Sequence, residues 1–230
     1  MLGLRFIIVF LVALAGGRAD SPTPKMKLVF SDDFNGAKID TEKWTIGNSD
    51  QVTLKDGKVI LGFHKVADGF KGGSISSKFP QSQGYFEAAI RFNAYRGNRA
   101  SFYIHPKNDG EVPSALLKFE CAGDDDLFPM ARILEATGAR EFKPAKVKKQ
   151  ETYLKPGIVS KNANVYGLLW TPTAYVWYLN NKIIFKLDKP SAVGPMLLSI
   201  RHYSTEGDRK NFDAKNMPDD VDVDWVKIWK

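Results

Sequence analysis

One carboxylate stands out by its setting. Glu120 closes the strand-like run Ser114-Ala115-Leu116-Leu117-Lys118-Phe119-Glu120, which is otherwise mostly apolar. A glutamate placed so is a candidate general acid or base, and cleavage of a glycosidic bond takes two carboxyl groups. They stand roughly 5 Å apart when one is the nucleophile, and roughly 6.5–9.5 Å apart when a water sits between them. The run holds only one. Glu111 precedes it, and Asp124-Asp125-Asp126 follow in what also reads as a solvated turn. Either could supply the base of an inverting route. A plainer alternative is that Lys118 and Glu120, two residues apart on a strand, share a face and pair as ions.

Other chemistries find less support. His64, His105 and His202 are scattered and lack metal-ligand spacing. Cys121 is the only cysteine, so no intramolecular disulfide forms; with no histidine close in sequence, it reads as a small buried apolar residue. The chain has no Gly-rich phosphate loop, and its basic residues follow no nucleic-acid-binding motif. The densest basic cluster, Lys143, Lys146, Lys148 and Lys149, reads as a solvated loop.

Strands must position whatever chemistry there is. Lys58–Phe63, Tyr85–Phe92 and Tyr175–Leu179 are rich in β-branched and aromatic residues. Asn180-Asn181 and Asp56-Gly57 are turn signals, because these residues tolerate positive φ. Short strands at regular spacing, without a long helical period, predict an all-β antiparallel sandwich. The stretch Ala122 to Ser160 is polar and weakly patterned; within it, Ala131–Ala136 fits a short helix or a strand and loop equally well.

Arg5, the apolar run Ile7–Ala15 and the small residues Gly16, Gly17 and Ala19 read as a secretory signal peptide over residues 1–19. The run is shorter than the roughly 20 residues a bilayer span takes; the alternative is a retained anchor. Residues 20–230 are then expected to form one exported domain with no membrane span. Without Arg5 and Arg18, the 33 basic residues fall to 31 against 26 acidic ones. That balance suits solubility, and also an anionic surface or polymer.

Four blocks, in order, resemble glycoside hydrolase family 16. Val29-Phe30-Ser31-Asp32-Asp33-Phe34-Asn35-Gly36, with Ile39-Asp40 and Trp44, is similar to its opening F-S-D-E-F-N-G … L-D … W. Ser76-Ser77-Lys78 and Gly84-Tyr85-Phe86-Glu87 resemble its T-S-K … Y-G-x-F-E-A-R strand. Tyr166–Pro172 and Val223–Trp229 resemble Y-x-x-x-W-T-P and V-D-Y-V-R-V-Y. The resemblance implies a concanavalin A-like jelly roll with a cleft for a β-glucan or galactan, neutral or anionic.

The family's catalytic strand reads E-x-D-x-x-E, with nucleophile, assisting Asp and acid/base. A bulge brings the three to one face. Laid on this chain, those positions are Ala115, Leu117 and Glu120. Neither alanine nor leucine can do the missing chemistry, so the resemblance implies a polysaccharide-binding protein with lost or strongly reduced glycosidase activity. The alternatives are an active hydrolase rearranged around Glu120, and a structural or protein-binding envelope sandwich.

Family aromatics before that strand match Gly97–Tyr103, with Arg99 at a tryptophan position and Phe102 and Tyr103 aromatic. Arg99, Phe102, Tyr103 and Trp170 are thus candidate sugar contacts, with Tyr103 the expected cleft-facing member of its pair. A surface role is open for Arg99, and a core role for about half the aromatics. Ala89 stands where the family has arginine. No cofactor is required; a structural calcium is an implied option, with Asp224 and Asp33 as its residues.

Overall fold

The computed structural model describes residues 21–67, 69–107, 114–123, 127–135, 138–142, 158–188 and 194–230. The segment 1–19 expected to be a signal peptide, Glu111, Asp124–Asp126 and the lysine cluster at 143–149 lie outside the described residues.

Among the described residues the regular structure is almost wholly strand: β1 (Leu28–Asp32), β2 (Trp44–Gly47), β3 (Val52–Lys55), β4 (Lys58–Leu61), β5 (Phe63–Val66), β6 (Gly69–Gly72), β7 (Ser74–Ser77), β8 (Gly84–Arg91) and β9 (Arg99–Pro106). Then follow β10 (Ser114–Cys121), β11 (Leu127–Glu135), β12 (Gly138–Phe142), β13 (Asn164–Trp170), β14 (Ala174–Leu179), β15 (Lys182–Asp188), β16 (Met196–Tyr203) and β17 (Val221–Trp229). One helical turn, α1 (Ile158–Lys161), precedes β13, and another, α2 (Glu206–Arg209), follows β16. Of the segment that fitted helix or strand equally, Ala131–Glu135 is strand, the end of β11, and Ala136 lies outside the described residues.

All pairings are antiparallel. One sheet runs β15-β14-β13-β8-β17-β4-β3, with β1 also on β17; the other runs β12-β11-β10-β9-β16-β7-β2. The small β5–β6 ribbon stands apart. Both expected turns form: Asp56 and Gly57 have φ of 52° and 70°, Asn180 and Asn181 of 50° and 66°. Left-handed backbone at both central residues matches the twist of the flanking strands, which is why Asn and Asp-Gly occur there.

The two sheets bury a common core. Phe86, Phe102, Phe119, Tyr166, Trp177 and Ile200 have no exposed surface. Each contributes about 1.5–3 kcal/mol of apolar burial. Phe119 stacks parallel to Phe102 at 6.3 Å and meets Tyr166 edge-on at 5.1 Å. The Trp177 indole crosses between sheets and donates to the Lys118 carbonyl at 3.0 Å, fixing the height of β10.

The register of β10 decides the site. It pairs with β11 from Ser114↔Leu134 to Cys121↔Leu127, and with β9 from Leu117↔Ile104 to Cys121↔Ala100, without a shift. A strand without a bulge alternates strictly. Ala115, Leu117, Phe119 and Cys121 therefore face the core, and Leu116, Lys118 and Glu120 face outward.

Candidate functional site

Glu120 lies on the outer face of the seven-stranded sheet, and its neighbours come from β9, β10, β16 and the loop after β16. Its cross-strand partner on β9 is Ser101, which in turn faces Arg201 on β16. Alternation places Arg99, Tyr103 and His105 of β9 beside Lys118 of β10 and Ser199, Arg201 and Tyr203 of β16.

Three donors converge on the Glu120 carboxylate. Lys118 Nζ and the Tyr203 hydroxyl each donate to Oε2 at 2.5 Å, and Arg99 Nη1 donates to Oε1 at 2.7 Å. The ion pair of Lys118 and Glu120 across one pleat is thus present. Burial leaves Glu120 only 5% exposed and pushes its pKa up more than any other single influence. Lys118, Tyr203 and Arg99 together outweigh it, and the pKa ends below the ordinary carboxylate value. The group is held ionised, whereas a general acid for glycoside hydrolysis needs a raised pKa.

Arg99 is doubly engaged. Its Nε also donates to both oxygens of Asp208, at 2.9 and 2.7 Å. These bonds to Asp208, with the Glu120 charge, raise the guanidinium pKa further. Asp208 is placed by local chemistry, as the third residue of a capping box at α2. The Thr205 backbone N–H and hydroxyl donate to Asp208 Oδ2, and the Asp208 N–H donates back to the Thr205 hydroxyl. The loop beyond is anchored by Phe212, edge-on to Phe70 at 4.5 Å and near Phe63 at 6.4 Å.

Asp208 is thus a second acid near Glu120, but the guanidinium stands between the two carboxylates. Tyr203, half-buried, has its pKa pushed up to about 12 by that burial and by the Glu120 charge beside it, so it stays a donor. Further along the face, His105 Nε2 bonds the Ser199 hydroxyl at 2.9 Å, which bonds Ser76 at 2.7 Å. Arg201 lies over the Tyr203 ring at 4.0 Å and the Tyr103 ring at 5.1 Å.

Several expectations need correction. Ala115 and Leu117, each 1% exposed, are core residues on the face opposite Glu120, because the bulge that would swing them outward is absent. The outward positions before Glu120 are Leu116 and Lys118. Phe102 is fully buried against Phe119, and Trp170, 3% exposed, belongs to the same core cluster, so neither can stack on a sugar. Tyr103 is half-buried on the outer face, beside Arg201. Lys118, Asp208, Arg201 and Tyr203 complete the constellation. Only the Thr205–Asp208 spacing and the alternation of β16 hinted at the last three.

The calcium residues fit poorly. Asp33 lines a depression with Asp32, Lys43, Trp225 and Lys227, and Asp224 does not line it. Asp32 already accepts from Phe34 N and Trp44 Nε1, at 3.0 and 2.8 Å. Two lysines also oppose a dication there. Among the described residues, no three His, Cys, Asp or Glu side chains gather as a metal site.

Comparison with known proteins gives the lineage. Endo-1,3-1,4-beta-glycanase ExsH of Rhizobium meliloti (strain 1021) is 30% identical over 126 residues, 54% of this chain and 25% of its own length. EglC of the same organism, also titled an endo-1,3-1,4-beta-glycanase, is 28% identical over the same shares. The chain spans about a quarter of the length of these curated relatives. Laminarinase from Flavobacterium sp. UMI-01 superposes with a TM-score of 0.72 at 15% identity, covering 89% of this chain and 100% of that one. The two chains share the jelly-roll sandwich. The sequence profile described as "Glycosyl hydrolases family 16" matches residues 38–227, and the chain belongs to that family.

Proposed function

We propose that this protein is exported, engages a polysaccharide across the outer face of its seven-stranded sheet, and has lost retaining glycosidase activity. One observation carries the reading: the outward positions of β10 are Leu116, Lys118 and Glu120, a single carboxylate held as an ion by its neighbours. Retaining hydrolysis needs a second carboxyl group as nucleophile, and its loss removes most of an acceleration worth at least ~8 kcal/mol. An inverting route through Asp208 would need a water where the Arg99 guanidinium lies.

The names of the relatives point to β-glucans, and Tyr103 and Tyr203 offer aromatic surface for a sugar ring. The test pairs affinity electrophoresis with a reducing-end assay on laminarin, mixed-linkage β-glucan, agarose and carrageenan. Retardation by at least one polymer without release of reducing ends is expected. Depolymerisation that disappears in Glu120→Gln would instead establish an active enzyme rearranged around Glu120. Neither retardation nor turnover would leave a structural or protein-binding role.

A further inference from the structure

The outer face carries a cation that its own acids do not match. Arg99 is paired with Glu120 and Asp208, and Lys118 with Glu120. Arg201 has no carboxylate partner among the described residues. Its Nε is shielded from solvent and makes no hydrogen bond, while its guanidinium lies against two tyrosine rings. Such stacking holds the planar fork in one orientation and leaves its edge for a ligand.

Resting on the polysaccharide reading above, we infer that Arg201, flanked by Tyr103 and Tyr203, reads a negatively charged substituent on the glycan, a carboxylate or a sulfate. A guanidinium takes either group through two parallel charge-assisted hydrogen bonds, and a flanking phenol ring takes the apolar face of the sugar. A neutral glucan covering this face would further desolvate an unmatched cation, and an anionic one would neutralise it. Arg99 cannot take this part while both its edges are held by protein acids.

The test compares retardation by neutral laminarin and agarose with that by alginate, a uronate polymer, and carrageenan, a sulfated galactan, at fixed ionic strength. Wild type should bind one charged polymer at least ~10-fold more tightly than its neutral counterpart, as expected of bidentate ionic bonds. Which charged polymer is retained separates carboxylate from sulfate. Arg201→Gln should abolish that excess, and Arg201→Lys should restore only part of it, since a point charge lacks the fork. Lys227→Gln, on the other sheet, removes the same charge elsewhere and should change nothing.

Equal retention of charged and neutral polymers overturns this inference alone. So does an equal loss in Arg201→Gln and Lys227→Gln, which marks bulk charge attraction. Retention of no polymer overturns the polysaccharide reading with it. Native-like melting of Arg201→Lys guards against loss of fold in Arg201→Gln.

Discussion

Glu120 is surrounded as an ion-pair centre is surrounded, with two cations and a phenol fixed on one carboxylate. This has a consequence for stability as well as chemistry. Glutamine at this position would leave the Lys118 ammonium, whose side chain is 14% exposed, without its counter-charge. Breaking such a pair from one side costs about 3 kcal/mol, because the remaining charge stays desolvated. Glu120→Gln should therefore lower the stability read from urea denaturation by about that amount. A glutamate kept for catalysis behaves otherwise, since removing an active-site charge commonly leaves stability unchanged or improved. Lys118→Met tests the other half: the Glu120 pKa should move upward, as seen by carboxyl carbon NMR titration. An unmoved titration would mean that Lys118 is not what keeps the group ionised.

At the scale of elements, the decisive fact is the parity of β10. The turn chemistry of Asn180-Asn181 and the aromatic strands were legible in the sequence, because each rests on local preference. Which face Ala115 took was not legible. One extra residue in a bulge flips every side chain before it, and nothing within Ser114–Glu120 signals whether the bulge is present. Asp208 was hidden for another reason: its cap is local, but its partner Arg99 is 109 residues away. The same parity yields a sharp test. Ala115→Glu would place a carboxylate in the core at a site 1% exposed, where burial without a partner costs several kcal/mol. Leu116→Glu would place it outward, near Lys118, at a cost of about 1 kcal/mol or less. Melting curves should show the first variant unfolded or strongly destabilised and the second near wild type. The reverse order would restore the bulged strand, with Ala115 as the true nucleophile position.

For the whole molecule, the groups that hold the sandwich together also set its response to acid. His202, 1% exposed on the core face of β16, donates through Nδ1 to the Leu61 carbonyl and packs against Phe63 at 5.2 Å. Burial drives its pKa from 6.5 to about 4. The unfolded chain therefore takes up this proton first, and stability falls as pH drops through 6.5, with the full loss of about 3 kcal/mol reached below 4. Glu120 and Asp208 act in the same direction lower down. Burial raises both, but their cationic and hydrogen-bonding partners prevail, so their contribution is lost as pH falls through their depressed values. Asp219 opposes them: burial raises its pKa despite bonds from Ala94, Tyr95 and Asn98, so it stabilises when protonated and less as pH rises. His202 has the widest window, and the net expectation is a urea midpoint that declines from pH 7 to pH 4. His202→Gln should be less stable at pH 7, having lost core packing, yet decline less steeply because no buried imidazole remains at that position to be charged. An identical slope in both proteins would mean that the acid sensitivity lies in the carboxylates around Arg99, and that the histidine beneath them is a bystander.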